Sequence, residues 1–246
     1  LLKEFARRPG LRRFLAGHRR LDPEAFLWPV IADVTQGCNL SCRMCWRPGA
    51  PRRERASPAL FKRLGSAVLP HAREIMFGCR HEPMLHPGLA RGIAALDAAR
   101  RRQGLDRRIG LLTSGTLLEE DILRRLVSAG LDAVMFSVQT THARTYAALQ
   151  PPAVWKDVEA RLKAFVAASS GDRPSSAVQM LLMAPTLAHV VSSVRRLGDL
   201  GFRRLRLLQM VAAPPPADAD VVLFSGPRGK ELRAVDGGMR LPAKGL

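Results

Sequence analysis

The sequence predicts an α/β fold in which six parallel strands alternate with helices and curl into a partial (βα)6 barrel. Six short, almost continuously apolar segments alternate with longer segments whose apolar residues recur at helical spacing. Strands that are apolar on both faces and joined by helical crossovers belong to parallel sheets, and right-handed crossovers roll such a sheet into an open or closed barrel. Because a full barrel closes with eight units, six units predict a partial one.

Each strand is predicted from an apolar run, and each helix from its apolar spacing and its end signals. The first helix starts at Pro58, after Ser57 as N-cap, and ends by Pro70, whereas Gly130 and Gly201 end two later helices. The predicted strands are Val30–Val34, Glu74–Gly78, Ile109–Leu112, Ala133–Val138, Ala177–Met183 and Arg204–Met210. The other predicted helices are Pro87–Arg102, Leu118–Ala129, His142–Leu149, Val154–Ala168 and Leu187–Leu200.

Three regions are expected along the chain. Residues 1–29 form a basic, amphipathic helical leader, residues 30–210 the barrel core, and residues 211–246 a Pro- and Ala-rich linker with a short C-terminal extension. Within the last region Val221–Phe224 is predicted as a short strand, and no cysteine is present there to bind a second metal centre. Because the chain starts at a leucine and not at methionine, we expect a fragment or a trimmed chain.

The composition is strongly basic, with a formal net charge of +18 and a pI near 11.4. Most of this charge comes from arginines in short runs on predicted helices, so a nucleic-acid partner stays open but is not favoured. No apolar run reaches the ~18–20 residues of a membrane span, and no membrane partner is expected. Four cysteines without a paired pattern fit a reducing compartment, so we expect a cytoplasmic protein.

Three of the four cysteines lie in one short loop after the first predicted strand. Cys38, Cys42 and Cys45 have the spacing C-x3-C-x2-C. Cysteine thiolates are the soft ligands of iron–sulfur clusters, and three of them can each hold one iron of a cubane, which leaves the fourth iron open. A zinc site would need a fourth ligand, and the nearest histidines, His18 and His71, lie 20 or more residues away. A disulfide framework would leave one of the three thiols over.

The cysteine loop, with Asn39 and Leu40 inside it, resembles the cluster loop of the radical S-adenosylmethionine (radical SAM) superfamily. The resemblance implies a 4Fe-4S cluster bound by Cys38, Cys42 and Cys45, whose open iron binds the amino and carboxylate groups of S-adenosyl-L-methionine (SAM). It also implies the partial TIM barrel of that family, with six βα units, over residues 30–210.

The loop after the second strand is similar to the Gly-Gly-Glu-Pro segment of the same family. Glu82 and Pro83 match the last two positions, whereas Arg80 and His81 stand where the glycines would be. The resemblance implies that this segment binds the amino group of SAM, with the Glu82 carboxylate as an acceptor. The two departures put the backbone contact in question, because glycine is what allows a close approach.

Two further loops carry polar residues where strands end. Thr113 and Ser114, followed by Gly115, are similar to the family's Thr-Asn-Gly. Ser137 matches a family serine that contacts the carboxylate or ribose of SAM, and Gln139 stands where the family commonly has an aspartate. By resemblance, these residues are expected to contribute to SAM binding with Glu82 and Pro83.

The fourth cysteine and two histidines share the loop after the second strand. Cys79 is expected to be a packed thiol at the strand end, because free cysteines are among the most buried residues. A substrate-facing thiol, a radical relay and an extra ligand are the alternatives. His81 and His86 are expected to be solvated loop residues.

The resemblance implies a radical SAM enzyme that cleaves SAM reductively to a 5′-deoxyadenosyl radical, which abstracts hydrogen from an unidentified substrate. Peptide or protein modification, methyl transfer and small-molecule rearrangement all stay open. The reaction needs a one-electron donor such as flavodoxin or ferredoxin. Two alternatives from other classes are a non-catalytic iron–sulfur or metal-binding module and a basic nucleic-acid-binding protein.

Overall fold

The computed structural model describes residues 28–45, 54–169, 174–209, 233–235 and 238–240. Its central element is a six-stranded parallel sheet whose strands lie side by side in chain order. The strands are β1 (Trp28–Ala32), β2 (Ala72–Phe77), β3 (Arg108–Thr113), β4 (Ala133–Ser137), β5 (Ser175–Leu182) and β6 (Leu205–Gln209). The predicted α/β fold with six βα units is confirmed.

Helices connect successive strands. α1 (Pro58–Arg63) starts after Ser57, whose hydroxyl group accepts a hydrogen bond from the Leu60 backbone N–H at 3.3 Å. It continues into a π-helical turn, Leu64–Val68, and a 3₁₀ turn, Leu69–His71. The other helices are α2 (Leu89–Arg102), α3 (Glu120–Ser128), α4 (Ala143–Leu149), α5 (Trp155–Ala168) and α6 (Val190–Asp199), with 3₁₀ turns at Pro83–Leu85 and Ala184–His189.

The first strand differs from its prediction at both ends. β1 ends at Ala32 and not at Val34, because the Val34 carbonyl group accepts a hydrogen bond from the Ala56 N–H at 2.8 Å, outside the sheet. Pro29 was predicted to end the leader, but it lies within β1. β1 is an edge strand of the sheet, and an edge strand tolerates a residue that lacks an N–H.

The helix predicted at Leu187–Leu200 is a 3₁₀ turn followed by α6. Thr186 explains the tight turn, because its buried hydroxyl group accepts from the Met183 N–H at 3.1 Å and donates to the Met183 carbonyl group at 2.9 Å. A side chain that pairs with nearby backbone groups in this way competes with α-helical hydrogen bonding.

The hydrophobic core lies between the sheet and its helices. Ile75, Phe77 and Phe136 on the strands and Leu96 and Phe165 on the helices are all at most 1% exposed. Phe136 and Phe165 meet edge to face with ring centroids 4.9 Å apart, a favourable geometry for aromatic pairs. Because successive strand residues point to opposite faces, the residues between these core positions face the concave side of the sheet.

A charged network ties the amino-terminal edge of the sheet. Arg100 Nε donates to Asp97 at 2.7 Å, and Arg100 Nη1 donates to Asp132 and to the Arg107 carbonyl group. Asp132 also accepts from the Ile109 N–H at 2.9 Å. The network joins α2, β3 and β4 at the end of the sheet away from the cysteine loop.

The position directly after β2 requires glycine, Gly78, because of its backbone conformation and because no space is left for a side chain. Its φ is +90°, and a Cβ atom there would lie 2.5 Å from the Leu112 carbonyl oxygen and 2.8 Å from Pro83. We expect Gly78→Ala to lower the free energy of unfolding by about 2–5 kcal/mol, as the sum of left-handed strain and overpacking. Urea denaturation measures the loss.

Gly104 provides the matched control, because its φ is +61° but nothing lies within 4 Å of a Cβ atom placed there. Gly104→Ala therefore carries the backbone strain alone, and its expected loss is about 1–2 kcal/mol. Equal losses in the two variants would contradict the proposed clash behind Gly78.

Several expectations fall on residues that are not described. The leader, apart from Trp28 and Pro29, and the predicted strand Val221–Phe224 lie outside the described residues and stay predictions. In the C-terminal region the structure describes an antiparallel pair that the sequence analysis did not predict, β7 (Arg233–Val235) with β8 (Gly238–Arg240). Within the described ranges, no helix has both the length and the apolar character needed to cross a membrane.

Candidate metal and cofactor site

A cavity of about 270 Å³ opens at the carboxyl-terminal edge of the sheet, where the loops after the strands meet. Parallel strands bring their carboxyl ends to one edge, and barrel enzymes place their chemistry there. Of the nine site residues predicted from the sequence, all but Pro83 line the cavity. The lining residues that come from those predictions are Cys38, Cys42, Cys45, Glu82, Thr113, Ser114, Ser137 and Gln139.

The loop after β1 carries the three clustered cysteines into this cavity. Cys38, Cys42 and Cys45 are half-buried, and none of the four cysteines forms a disulfide bond. The Cys45 N–H donates to the Cys42 carbonyl group at 3.0 Å, which closes a turn between the last two cysteines. The Leu40 N–H lies 3.5 Å from Cys38 Sγ, so the loop backbone already presents one donor to a sulfur atom.

Contacts from distant parts of the chain hold this loop in place. The Ser41 N–H donates to the Pro151 carbonyl group at 2.7 Å, and the Arg43 N–H donates to the Leu149 carbonyl group at 3.0 Å. Asn39 Nδ2 donates to Thr116 Oγ1 at 2.9 Å. The positions of the cysteines are therefore fixed by the end of α4 and by the loop after β3.

The donor set fits a cluster with one iron per cysteine. In the part of the chain that the structure describes, no three His, Cys, Asp or Glu side chains are placed to share a single metal ion. A cubane binds each cysteine to a different iron, so its ligands need not reach one point. Cys38, Cys42 and Cys45 would hold such a cluster, with the cavity beside it.

Glu82 is the polar centre of the cavity floor, with only 2% of the residue exposed. Its Oε1 accepts from Thr113 Oγ1 at 2.8 Å and from the Met84 N–H at 3.2 Å. Its Oε2 accepts from the Ser114 N–H at 3.0 Å and from Ser114 Oγ at 2.8 Å. These four bonds use the usual acceptor capacity of a carboxylate, so in this structure Glu82 holds the loop after β3 against the loop after β2.

Burial raises the pKa of the Glu82 carboxyl group above its ordinary value of 4.5. The hydrogen bonds from Ser114, Thr113 and Met84 act in the opposite direction and only partly offset the burial. The role expected for Glu82, acceptance of the SAM amino group, stays a prediction. Pro83 is buried and does not line the cavity; a Cβ atom at Gly78 would lie 2.8 Å from its ring.

The end of β4 is organised by two glutamines. Gln139, 2% exposed, donates through Nε2 to Ser137 Oγ at 2.8 Å and accepts through Oε1 from the Leu181 N–H at 2.7 Å. Gln150 Nε2 lies 3.4 Å from the Ser137 carbonyl oxygen. An amide can donate and accept at once, and Gln139 uses both groups to tie β4 to β5 beside the cavity.

The two residues in place of the family glycines lie next to an acidic side chain. Arg80 Nε donates to Asp33 Oδ2 at 3.2 Å, and His81 Nδ1 lies 3.6 Å from the same carboxylate. Both residues line the cavity. Asp33 follows β1 directly, so this group connects the ends of β1 and β2 at the mouth of the cavity.

Cys79 and His86 both differ from their expectations. Cys79 is exposed and not packed, because the positive φ of Gly78 directs the following residue out of the strand to the cavity rim. Partial burial and the nearby Asp33 raise the pKa of the Cys79 thiol. His86 is buried and not solvated, since its Nδ1 accepts from the Gly88 N–H at 3.0 Å and its Nε2 lies 2.9 Å from the Ala56 carbonyl oxygen.

Other residues at the site were not singled out from the sequence. Gln150 and Gln179 line the cavity, and Thr116 holds Asn39. Gln179 alternates with core residues on β5, and this alternation was the only sequence signal that could have placed it on the concave face. No sequence motif marks Gln150 or Thr116 as a site residue.

Comparisons with known proteins agree with this architecture. The chain is 30% identical over 109 residues to the tungsten-containing aldehyde ferredoxin oxidoreductase cofactor-modifying protein of Pyrococcus furiosus, covering 43% of this chain and 29% of that protein. It is 36% identical over 114 residues to the PqqA peptide cyclase of Gluconobacter oxydans, covering 45% of this chain and 30% of that protein. The matched regions thus span less than a third of either relative.

Crystal structures of SuiB from Streptococcus suis share the fold. The structure bound to the precursor peptide SuiA has a TM-score of 0.63 at 14% identity, covering 81% of this chain and 42% of SuiB. The structure bound to S-adenosylmethionine has a TM-score of 0.65 at 12% identity, covering 82% of this chain and 44% of SuiB. At these identities the likeness concerns the fold alone.

The sequence profile of the Radical SAM superfamily matches residues 33–222, from the residue after β1 to beyond β6. The match includes the cysteine loop and every other site residue named above. Because it extends over most of the chain, this protein belongs to the radical SAM superfamily.

Proposed function

We propose that this protein is a radical SAM enzyme that binds a 4Fe-4S cluster through Cys38, Cys42 and Cys45 and cleaves SAM reductively. When bound, such a cluster supplies the electron that splits SAM into methionine and a 5′-deoxyadenosyl radical, which takes a hydrogen atom from the substrate. The observation that carries the proposal is the convergence of the three cysteines and the polar ends of β2, β3 and β4 on one cavity.

In this proposal different residues of the cavity lining contact different parts of SAM. Thr113 and Ser114, fixed by Glu82, present hydroxyl groups next to the cysteine loop and support the amino acid part of SAM. Ser137 is the last residue of β4 and Gln139 follows it, and both are proposed to contact the carboxylate or ribose of SAM. Apolar side chains complete the lining and help to exclude water from a radical reaction; they are Leu40, Met44, Leu112 and Leu181.

A peptide or protein is the substrate class that we propose. One relative is named a peptide cyclase, and SuiB, which shares the fold, was crystallised with a precursor peptide. Cys79 and Arg80 line the cavity and are themselves exposed, so both side chains are accessible to a peptide at the protein surface.

A non-catalytic iron–sulfur module is the second candidate. It is favoured by Arg80 and His81, which stand in the positions of two family glycines; Arg80 bonds to Asp33, and His81 Nδ1 lies 3.6 Å from it. In such a module the cluster would assemble, but SAM would not be cleaved. The nucleic-acid alternative rests on the net charge of +18 alone.

Anaerobic iron–sulfur reconstitution followed by an assay for 5′-deoxyadenosine tests the proposal. We expect close to four irons per chain, a brown chromophore and SAM-dependent release of 5′-deoxyadenosine on reduction. A loaded cluster without 5′-deoxyadenosine would support the non-catalytic module. Zinc binding without iron loading would reject both cluster proposals, and salt-sensitive binding of DNA or RNA would then favour the nucleic-acid reading.

The electron donor gives a further prediction. A net charge of +18 should attract acidic one-electron donors such as flavodoxin over long distances. We expect reduction by an acidic flavodoxin to slow as salt is raised towards 0.15 M, because the screening length falls to about 8 Å there. Stopped-flow absorbance of the cluster measures the rate. A small uncharged photochemical reductant is the control, and equal rates at low and physiological salt with flavodoxin would contradict electrostatic steering.

A further inference from the structure

Thr116, in the loop after β3, connects the cysteine loop to the floor of the cavity. Its Oγ1 atom accepts a hydrogen bond from Asn39 Nδ2 in the cysteine loop at 2.9 Å. The same atom lies 2.8 Å from Ser114 Oγ, and Ser114 Oγ donates to Glu82 Oε2 at 2.8 Å. These side chains form one continuous series of hydrogen bonds, the polar chain, which consists of Asn39, Thr116, Ser114 and Glu82.

The direction of the polar chain follows from the number of protons on each hydroxyl group. A serine hydroxyl group carries one proton, and that of Ser114 goes to the Glu82 carboxylate. Ser114 Oγ therefore accepts from Thr116, and the Thr116 hydroxyl group donates to Ser114 and accepts from Asn39. All three bonds point towards Glu82, and bonds aligned in this way strengthen one another.

Both neighbours of Thr116 in the polar chain depend on it. Asn39 Oδ1 is buried and has no hydrogen-bond partner among the residues that the structure describes, so the bond from Nδ2 to Thr116 orients the amide group. Ser114 Oγ also accepts from the Thr116 N–H at 3.4 Å, in addition to the bond from its hydroxyl group. Thr116 does not line the cavity, whereas Ser114 and Glu82 do, so an effect of Thr116 on a ligand passes through these two residues.

We propose that Thr116 is a positioning residue for SAM binding, because it fixes the Ser114 hydroxyl group and the Glu82 carboxylate relative to the cysteine loop. This inference rests on the proposed function, in which Ser114 and Glu82 support the amino acid part of SAM. The cysteines and these two residues lie on three different loops, which the polar chain joins through side chains. Groups that bind a ligand act best when a second layer of hydrogen bonds holds them in place.

Removal of the Thr116 hydroxyl group tests the proposal. Thr116→Val keeps the branched shape, and we expect it to load iron like the wild type but to bind SAM about three- to tenfold more weakly, the range of one hydrogen bond. Thr116→Ser keeps the hydroxyl group and should bind SAM like the wild type. Isothermal titration of the reconstituted full chain with SAM measures the affinity, with iron content determined for each sample.

Thr145→Val is the matched control. It removes a hydroxyl group that lies 2.9 Å from His142 Nδ1, outside the polar chain. Its affinity for SAM should equal that of the wild type.

A double variant distinguishes one connected chain from separate effects. Asn39→Ala removes the donor at the far end of the polar chain, so it should also weaken SAM binding. If the bonds act as a unit, Asn39→Ala combined with Thr116→Val loses no more affinity than Thr116→Val alone. Losses that multiply would mean that the two residues act independently, and they would overturn the coupling through Thr116.

The wild type is measured first, and a wild type that takes up no iron or does not bind SAM would reject the proposed function and this inference together. With a loaded wild type that binds SAM, an unchanged affinity in Thr116→Val would overturn the inference and leave the proposed function intact. Equal losses in Thr116→Val and Thr116→Ser would reject a role of the hydroxyl group. If Thr116→Val fails to load iron, Asn39→Ala decides: weaker SAM binding supports the polar chain, and an unchanged affinity rejects it.

Discussion

Replacing Cys38, Cys42 or Cys45 by alanine is expected to abolish cluster binding and SAM cleavage together. Each thiolate would hold a different iron, so no remaining ligand takes over when one is removed. The backbone bonds from Ser41 to Pro151 and from Arg43 to Leu149 fix the loop, which limits any rearrangement that could bring in a substitute. Iron content, absorbance of the brown chromophore and yield of 5′-deoxyadenosine are the measurements.

Cys79→Ala is the matched control for this series. Cys79 lines the same cavity but is exposed on the loop after β2, so its removal should leave iron content unchanged. Full iron loading in Cys42→Ala would contradict the ligand assignment, and loss of iron in Cys79→Ala would make Cys79 a fourth ligand. An effect of Cys79→Ala on turnover with full iron loading would place this thiol near the substrate.

The sequence predicted the fold because local patterns determine it. Each strand of the sheet is an apolar run, and the half-barrel follows from six such runs joined by helices. The same logic placed Glu82, Thr113, Ser114 and Ser137 on one edge, because they follow successive parallel strands. Their convergence on one cavity is what this order of strands produces.

The support of the cysteine loop could not be predicted in the same way. Its partners are the carbonyl groups of Leu149 and Pro151, more than one hundred residues away, and a backbone carbonyl group leaves no signal in residue type. Gln150 acts at the end of β4 through a contact that depends on how α4 ends. Such contacts become visible only when the loops are placed in space.

The pairing of Glu82 was also invisible in the sequence, and it changes what a mutation should do. Glu82→Ala leaves the N–H groups of Met84 and Ser114 and two hydroxyl groups without their acceptor. An unpaired buried donor costs about 1–3 kcal/mol. Water from the cavity replaces part of these bonds, so we expect a loss of about 2–4 kcal/mol in the free energy of unfolding.

The expected loss of SAM affinity in Glu82→Ala is about 1.5–3 kcal/mol if Glu82 bonds the amino group directly, as for one charge-assisted hydrogen bond. Isothermal titration of the reconstituted protein with SAM measures it, and urea denaturation measures the stability. Retained iron content is the internal control, because Glu82 is no cluster ligand in this proposal. Unchanged stability with weaker SAM binding would mean that the four bonds to Glu82 contribute little to the fold.

Glu82→Gln separates the charge of the side chain from its shape. Because the pKa of Glu82 is raised in the folded protein, the folded state binds the proton more tightly than the unfolded state does. The protonated carboxyl group therefore contributes stability that is fully present below the unfolded value near 4.5 and is lost as pH rises through the folded value. The uncharged amide has no such titration.

We therefore expect the stability of the wild type, relative to Glu82→Gln, to fall as pH rises from about 4.5 towards neutrality. Urea denaturation of both proteins across this range measures the difference, and groups that titrate equally in both cancel. If the stability of the wild type relative to Glu82→Gln rose with pH instead, the bonds from Thr113, Ser114 and Met84 would outweigh the burial of the carboxylate. The carboxylate would then be stabilised in its charged form by these four bonds.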